Sequence, residues 1–285
     1  MQKRTKMKTS SRLLMLLCLM FAGLMASTVL FAVTQDIDLL AMLTVQDVFV
    51  FILPALIAMA IFYRRPMQVM GMNRAPSWVS LGVIVLFCIV SLPAMNWLVD
   101  INESMKLPAW MSGIEHMMRA MEDDAADTTR ELLDIHSLGQ FLYTLLVVGF
   151  MAGLSEEILF RGAMLRTMQD SRLGKHAVVW ITAIIFSALH VQFYGFLPRM
   201  LLGVWLGYLL VWTGSLWVPI IAHTLNNSIV VIFSYLTNKG LVPEGFGDHL
   251  GLPSQGGFPW LAVISLIASI ALVIWANNFY LKKGK

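Results

Sequence analysis

The sequence predicts an all-α fold: a polytopic bundle of about eight transmembrane helices, with one amphipathic helix outside the membrane. Three observations predict it. Apolar residues make up 58% of the chain, charged residues only 13%, and mean hydropathy is +0.73. Soluble domains run nearer about 45–50% apolar and about 25% charged. The apolar residues fall in runs close to the roughly 20 needed to cross a hydrocarbon core as a helix. The remaining charges collect between those runs. A soluble chain of 285 residues could bury a large core but would still need a charged surface, and this composition does not supply one.

The expected spans are residues 13–33, 45–63, 77–99, 138–160, 176–195, 197–213, 215–237 and 258–281. The sixth is short, and its boundary with the fifth, near Pro198, is the least marked. Lys3, Arg4, Lys6, Lys8 and Arg12 precede a first run containing Ala22, Ala26 and Ala32, a pattern shared with secretory signals. A signal core is only about 7–15 residues long. This run is longer, so a retained first helix is expected. No internal repeat is visible.

Residues 100–136 hold Asp100, Glu103, Glu115, Glu122, Asp123, Asp124, Asp127, Glu131 and Asp134. Ile114, Met117, Met118, Met121, Ala125, Leu132 and Leu133 recur between them at mostly helical spacing. The segment reads as an amphipathic helix on the outer surface, a solvated connector or, alternatively, a lid. Three regions are expected: 1–137 with the first three spans and this segment, 138–237 as the core, and 238–285 as a loop and the last span.

With the N-terminus inside, 15 of the 20 basic residues fall on the cytoplasmic side, including Arg64, Arg65, Arg74, Arg161, Arg166, Arg172, Lys175, Lys282, Lys283 and Lys285. The positive-inside rule then predicts a multi-pass protein of the inner (plasma) membrane with both termini cytoplasmic. A net charge of +3 does not imply nucleic acid. The expected partner is the lipid bilayer. Cys18 and Cys88 read as buried thiols in apolar runs, without disulfide or metal spacing.

Ionisable groups in spans are costly and tend to be functional. They converge on three spans. In the fourth, Glu157 and Arg161 are spaced i, i+4 with the acid first, the favourable order. Glu156 points about 100° away and is free to face a cavity. The fifth carries Phe186-Ser187-Ala188-Leu189-His190, and the seventh His223-Thr224-Leu225-Asn226-Asn227. His223 and Asn227 share a face, whereas Asn226 looks elsewhere. Glu156 and His190 each lie about 15 residues, about 22 Å of helix, from the turn at 171–175. His223 lies about 12 Å beyond the Thr213-Gly214-Ser215 turn. The levels agree, in the cytoplasmic half of the bilayer, if the hairpin between the fourth and fifth spans projects about 10 Å.

A carboxylate and a histidine can deprotonate a water. A second histidine with an asparagine can donate to a tetrahedral oxyanion. There is neither a GxSxG elbow nor an HExxH motif. Glu156-Glu157-xxx-Arg161, Phe186-xxx-His190 and His223-xxx-Asn227, in that order, resemble the three motifs of the CPBP intramembrane proteases. That family includes the type II CAAX prenyl endopeptidases and the bacteriocin-processing or self-immunity (Abi) proteins. The resemblance covers about residues 138–237. It implies an endopeptidase acting on a peptide or membrane-protein substrate, in which Glu156 and His190 activate water, His223 and Asn227 form the oxyanion hole, and Glu157, Arg161 and Phe186 support the site. It leaves two branches: Glu156, His190 and His223 as ligands of a catalytic Zn²⁺, or a metal-free mechanism, preferred because it gives Asn227 a role. The rival readings are a proton-coupled transporter or channel and a catalytically silent scaffold or immunity protein of the same fold.

Overall fold

A computed structural model describes residues 3–34, 37–247, 249–252 and 257–283. Lys285 lies outside them. Among the described residues the chain is helical, with no β-strand beyond a single bridge between Lys3 and Tyr63. We number the main helices α1 (Thr9–Val33), α2 (Leu39–Phe62), α3 (Trp78–Glu103), α4 (Ser112–Leu132), α5 (Leu138–Met168), α6 (Lys175–Ala188), α7 (Phe196–Thr213), α8 (Trp217–Asn238) and α9 (Trp260–Lys283).

Seven of these are long and apolar enough to cross a membrane. One of the eight expected spans, at 176–195, is not. The helix α6 stops at Ala188 after 14 residues, about 21 Å, short of a hydrocarbon core of about 30 Å. The short element is therefore the fifth expected span, not the sixth. Helix α5 errs the other way: it continues through Arg161 to Met168. Arg161 is 1% exposed, so it does not mark a cytoplasmic interface. Arg12, counted ahead of the first span, is inside α1 and buried. Cys18 is exposed rather than buried.

The centre of the bundle is α5. It packs on α2, α6 and α8, while α1 leans on α2, α7 on α6, and α9 on α3. One apolar cluster links Leu16, Met59, Phe62, Leu159, Phe160, Val179, Phe186 and Ile220, so the N-terminal helices share their core with the central ones. Helices α5 and α8 approach closely because of Gly149 and Gly153. A Cβ on Gly153 would lie 2.9 Å from the backbone nitrogen of Thr224. Small residues four apart permit such backbone contact between membrane helices.

The amphipathic helix is present as α4, with no residue fully buried. It starts later than the acidic segment, because residues 100–103 complete α3. Asn102, read as part of the outer segment, is buried.

Candidate active site

Glu157 is fully buried, and its Oε1 accepts hydrogen bonds from Arg161 Nη1 at 2.7 Å and His223 Nδ1 at 2.9 Å. Arg161 also donates to the Gly203 carbonyl at 3.0 Å, and its guanidinium lies over the Phe186 ring, 4.6 Å from the centroid. One ion pair thus joins α5, α6, α7 and α8. Removing either partner of such a pair would strand a charge in the bundle.

Glu156, one residue earlier, turns toward a cavity. Its Oε1 lies 4.0 Å from His190 Nε2 and its Oε2 3.8 Å from His223 Nε2. These gaps are longer than hydrogen bonds and suit an oxygen atom held between the groups. The Nδ1 of His190 is 2.8 Å from the Phe186 carbonyl. A carbonyl only accepts, so Nδ1 carries the proton there. The rings of His190 and His223 meet Phe186 edge-on, at 5.0 and 6.0 Å. Both Nε2 atoms are thereby turned toward Glu156, and Phe186 orients both rings.

His190 does not sit on a helix, as the sequence had suggested. It follows the end of α6, and the next residue, Val191, has φ +56°. That left-handed conformation is unusual for a β-branched residue and marks local strain. The loop is tied down from three directions. Ser187 Oγ donates to the Phe196 carbonyl at 2.7 Å. Asn102 donates to the Phe193 carbonyl at 3.1 Å and accepts from the Leu197 nitrogen at 2.8 Å. Glu122, on α4, accepts from the Tyr194 nitrogen at 3.3 Å. The acidic helix α4 therefore touches the loop that carries His190.

The cavity, of about 350 Å³, is walled by Asp47, Phe51, Val147, Phe160, Glu156 and His190 among others. The first four stand on three π-helical stretches, 47–52, 145–151 and 158–165. Such bulges re-aim side chains and recur at functional sites. Asp47 joins the site without a motif to mark it. It is 8% exposed and accepts from Ser155 Oγ at 2.9 Å, one residue before Glu156. Its signal was an acid inside an apolar run.

Asn227 is one turn from His223, as expected, but its hydrogen bonds go elsewhere than Glu156. Its Nδ2 donates to the Val148 carbonyl at 3.2 Å, and its Oδ1 accepts from Asn226 at 3.3 Å. Val148 also lines the cavity. One N–H of the Asn227 amide remains uncommitted.

The zinc branch can be tested on the same geometry. Zinc held at about 2.0–2.1 Å places tetrahedral ligand atoms roughly 3.3 Å apart. The gaps from Glu156 to the two histidines exceed that, at 3.8 and 4.0 Å. Among the described residues no group of three His, Cys, Asp or Glu side chains has metal-holding geometry. These residues do not fit a zinc site as they stand.

Residues 138–229 match the family model described as type II CAAX prenyl endopeptidase Rce1-like. This part of the chain is similar to that family. The match runs from α5 through the first half of α8 and includes all seven residues singled out from the sequence. The uncharacterized protein YpbD of Bacillus subtilis (strain 168) is 26% identical over 110 residues, which are 37% of this chain and 51% of that protein. The chain thus matches about half the length of this curated relative. No solved structure matches.

Proposed function

We propose that this protein is an intramembrane endopeptidase that hydrolyses a peptide bond of a membrane-associated peptide or protein. The observation that carries the reading is Glu156 standing between the Nε2 atoms of His190 and His223, at 4.0 and 3.8 Å, beside a largely apolar cavity. The Rce1-like match over the same helices supports it.

In this reading Glu156 and His190 hold a water and take its proton. The resulting hydroxide attacks the scissile carbonyl carbon. The oxyanion receives hydrogen bonds from His223 Nε2 and the free N–H of Asn227. His223 has committed its Nδ1–H to Glu157, so only its imidazolium form has an Nε2–H to donate. The C–N bond then breaks, and the proton held by Glu156 and His190 passes to the leaving amine. Glu157, Arg161 and Phe186 hold the two histidines in place. The mechanism is metal-free. The membrane is a bacterial plasma membrane with both termini cytoplasmic, the short α6 and α7 forming a hairpin that starts and ends on the same side, and the substrate is a peptide or membrane protein rather than a prenylated one.

The test is cleavage of a quenched fluorescent peptide library by the purified protein in detergent, with products identified by mass. Glu156→Gln, His190→Ala and His223→Ala should each abolish the wild-type products, and a chelator should leave them unchanged. Products that survive all three substitutions would remove the site. Products lost with the chelator and restored by zinc would reverse the metal-free mechanism.

A further inference from the structure

A second cavity, of about 650 Å³, opens at the end of the bundle where α2, α5 and α7 finish, and Arg65, Arg74 and Arg166 all line it. None of the three has an ion pair among the described residues. Arg65 reaches only Gln68, at 3.5 Å, and Arg166 only Gln169 and the Gly214 carbonyl, at 3.2 and 3.3 Å. The Nε of Arg166 is buried without a partner.

The cluster is held by the backbone. Leu216 donates to the Gly71 carbonyl at 3.2 Å, Trp217 Nε1 to the Met72 carbonyl at 2.8 Å, and Ser215 Oγ to the Arg74 carbonyl. The loop before α3 is thus stapled to the turn before α8. Gly214, at φ +66°, brings Arg74 and Arg166 together: its carbonyl takes Arg166, and a Cβ there would lie 2.4 Å from Arg74 Nη1. Like charges gathered this way repel unless an anion joins them.

We propose that this cavity binds a phosphate-bearing anion. Guanidinium forks match phosphate oxygens in pairs. The surroundings favour the headgroup of an anionic phospholipid as the source. Trp212, on the cavity wall, stacks on Tyr208 and Tyr280 at 5.4 and 6.0 Å, an aromatic cluster of the kind found at membrane–water boundaries. Basic pockets between membrane helices capture such headgroups. The site stands independently of the peptidase reading.

The experiment compares wild type with the double variant Arg65→Gln, Arg74→Gln, whose altered side chains are exposed. Phosphatidylglycerol and phosphatidylcholine binding is followed by native mass spectrometry. Glycerol 3-phosphate and inorganic phosphate are followed by calorimetric titration. Phosphatidylglycerol should bind at least tenfold more tightly than phosphatidylcholine, and the double variant should lose roughly tenfold or more, since each charge-assisted contact is strong. Binding of glycerol 3-phosphate with the same arginine dependence would support the cavity but make a soluble phosphate its source. Equal binding of both lipids with no soluble phosphate bound, or unchanged binding by the double variant, would overturn the proposal. If the double variant fails to fold, Arg74→Lys replaces it: the charge stays, the fork is lost, and phosphatidylglycerol affinity should drop several-fold. No drop would count against the site.

Discussion

His223 Nδ1 and Arg161 Nη1 share one acceptor, Oε1 of Glu157, at 2.9 and 2.7 Å. The neighbouring Glu156 has no such bond and faces the cavity with 17% of its side chain exposed. Two adjacent carboxylates are therefore placed in different surroundings by about 100° of helix. Substitutions at the two positions should separate stability from activity.

Glu157→Ala should destabilise the protein by about 3–5 kcal/mol, because Arg161 would stay buried without its charge partner. Thermal unfolding in detergent measures this. Glu156→Gln should melt close to wild type.

Asn227→Ala should lower kcat by roughly 10²–10³-fold with little change in KM, as expected for a donor that acts on the transition-state oxyanion. Steady-state kinetics on a cleaved peptide gives the split. A loss confined to KM would place Asn227 in ground-state binding.

Gly153→Ala should be costly and Gly149→Ala mild. The first would push a Cβ to 2.9 Å from the Thr224 backbone nitrogen, whereas the second meets the Ser228 hydroxyl at 2.8 Å, which can rotate away. Overpacking of the first kind costs about 1–3 kcal/mol. Comparing the two melting temperatures tests whether α5 and α8 are locked at this point.

The N-terminal segment supplies a pH prediction. Asp170 receives hydrogen bonds from Arg12 and Tyr63, each at 2.8 Å, and pairs with Lys3 at 3.3 Å. Burial alone would raise its carboxyl, but these partners outweigh it and hold the group below the usual carboxylate range. Burial and Asp170 together push Tyr63 up to about 12, so it remains a donor. A depressed acid stabilises fully above its unfolded value, about 3.9 for Asp. The contribution disappears as pH falls through the lower folded value. Asp170→Asn should therefore lower the melting temperature at neutral pH and flatten its fall below about pH 4. An unchanged acid profile would show that Asp170 does not anchor α1.

Much of this architecture was legible in the sequence because lipid imposes it. The long apolar runs, the buried i, i+4 pair of Glu157 and Arg161, and the outward turn of Glu156 all follow from helix period and the cost of charge in hydrocarbon. What was not legible depends on contacts distant in sequence. Helix α5 runs on past residue 160 because Arg161 finds Glu157 and Gly203 inside the bundle. The break before His190 depends on Asn102 and Glu122 holding the loop. The π-helical stretches have no periodic signature, so no local pattern aims Asp47 at the cavity. The arginine cavity required the loop at 71–74 to meet the turn at 213–216, which no local pattern encodes.

The proposed chemistry places Glu156 as a base between His190 and His223. The decisive measurement is the cleavage rate of Glu156→Gln protein that melts with the wild type. A fall of roughly 10²–10⁴-fold is expected, the usual worth of a general base. A variant that cleaves the same bond at the wild-type rate would rule out that role.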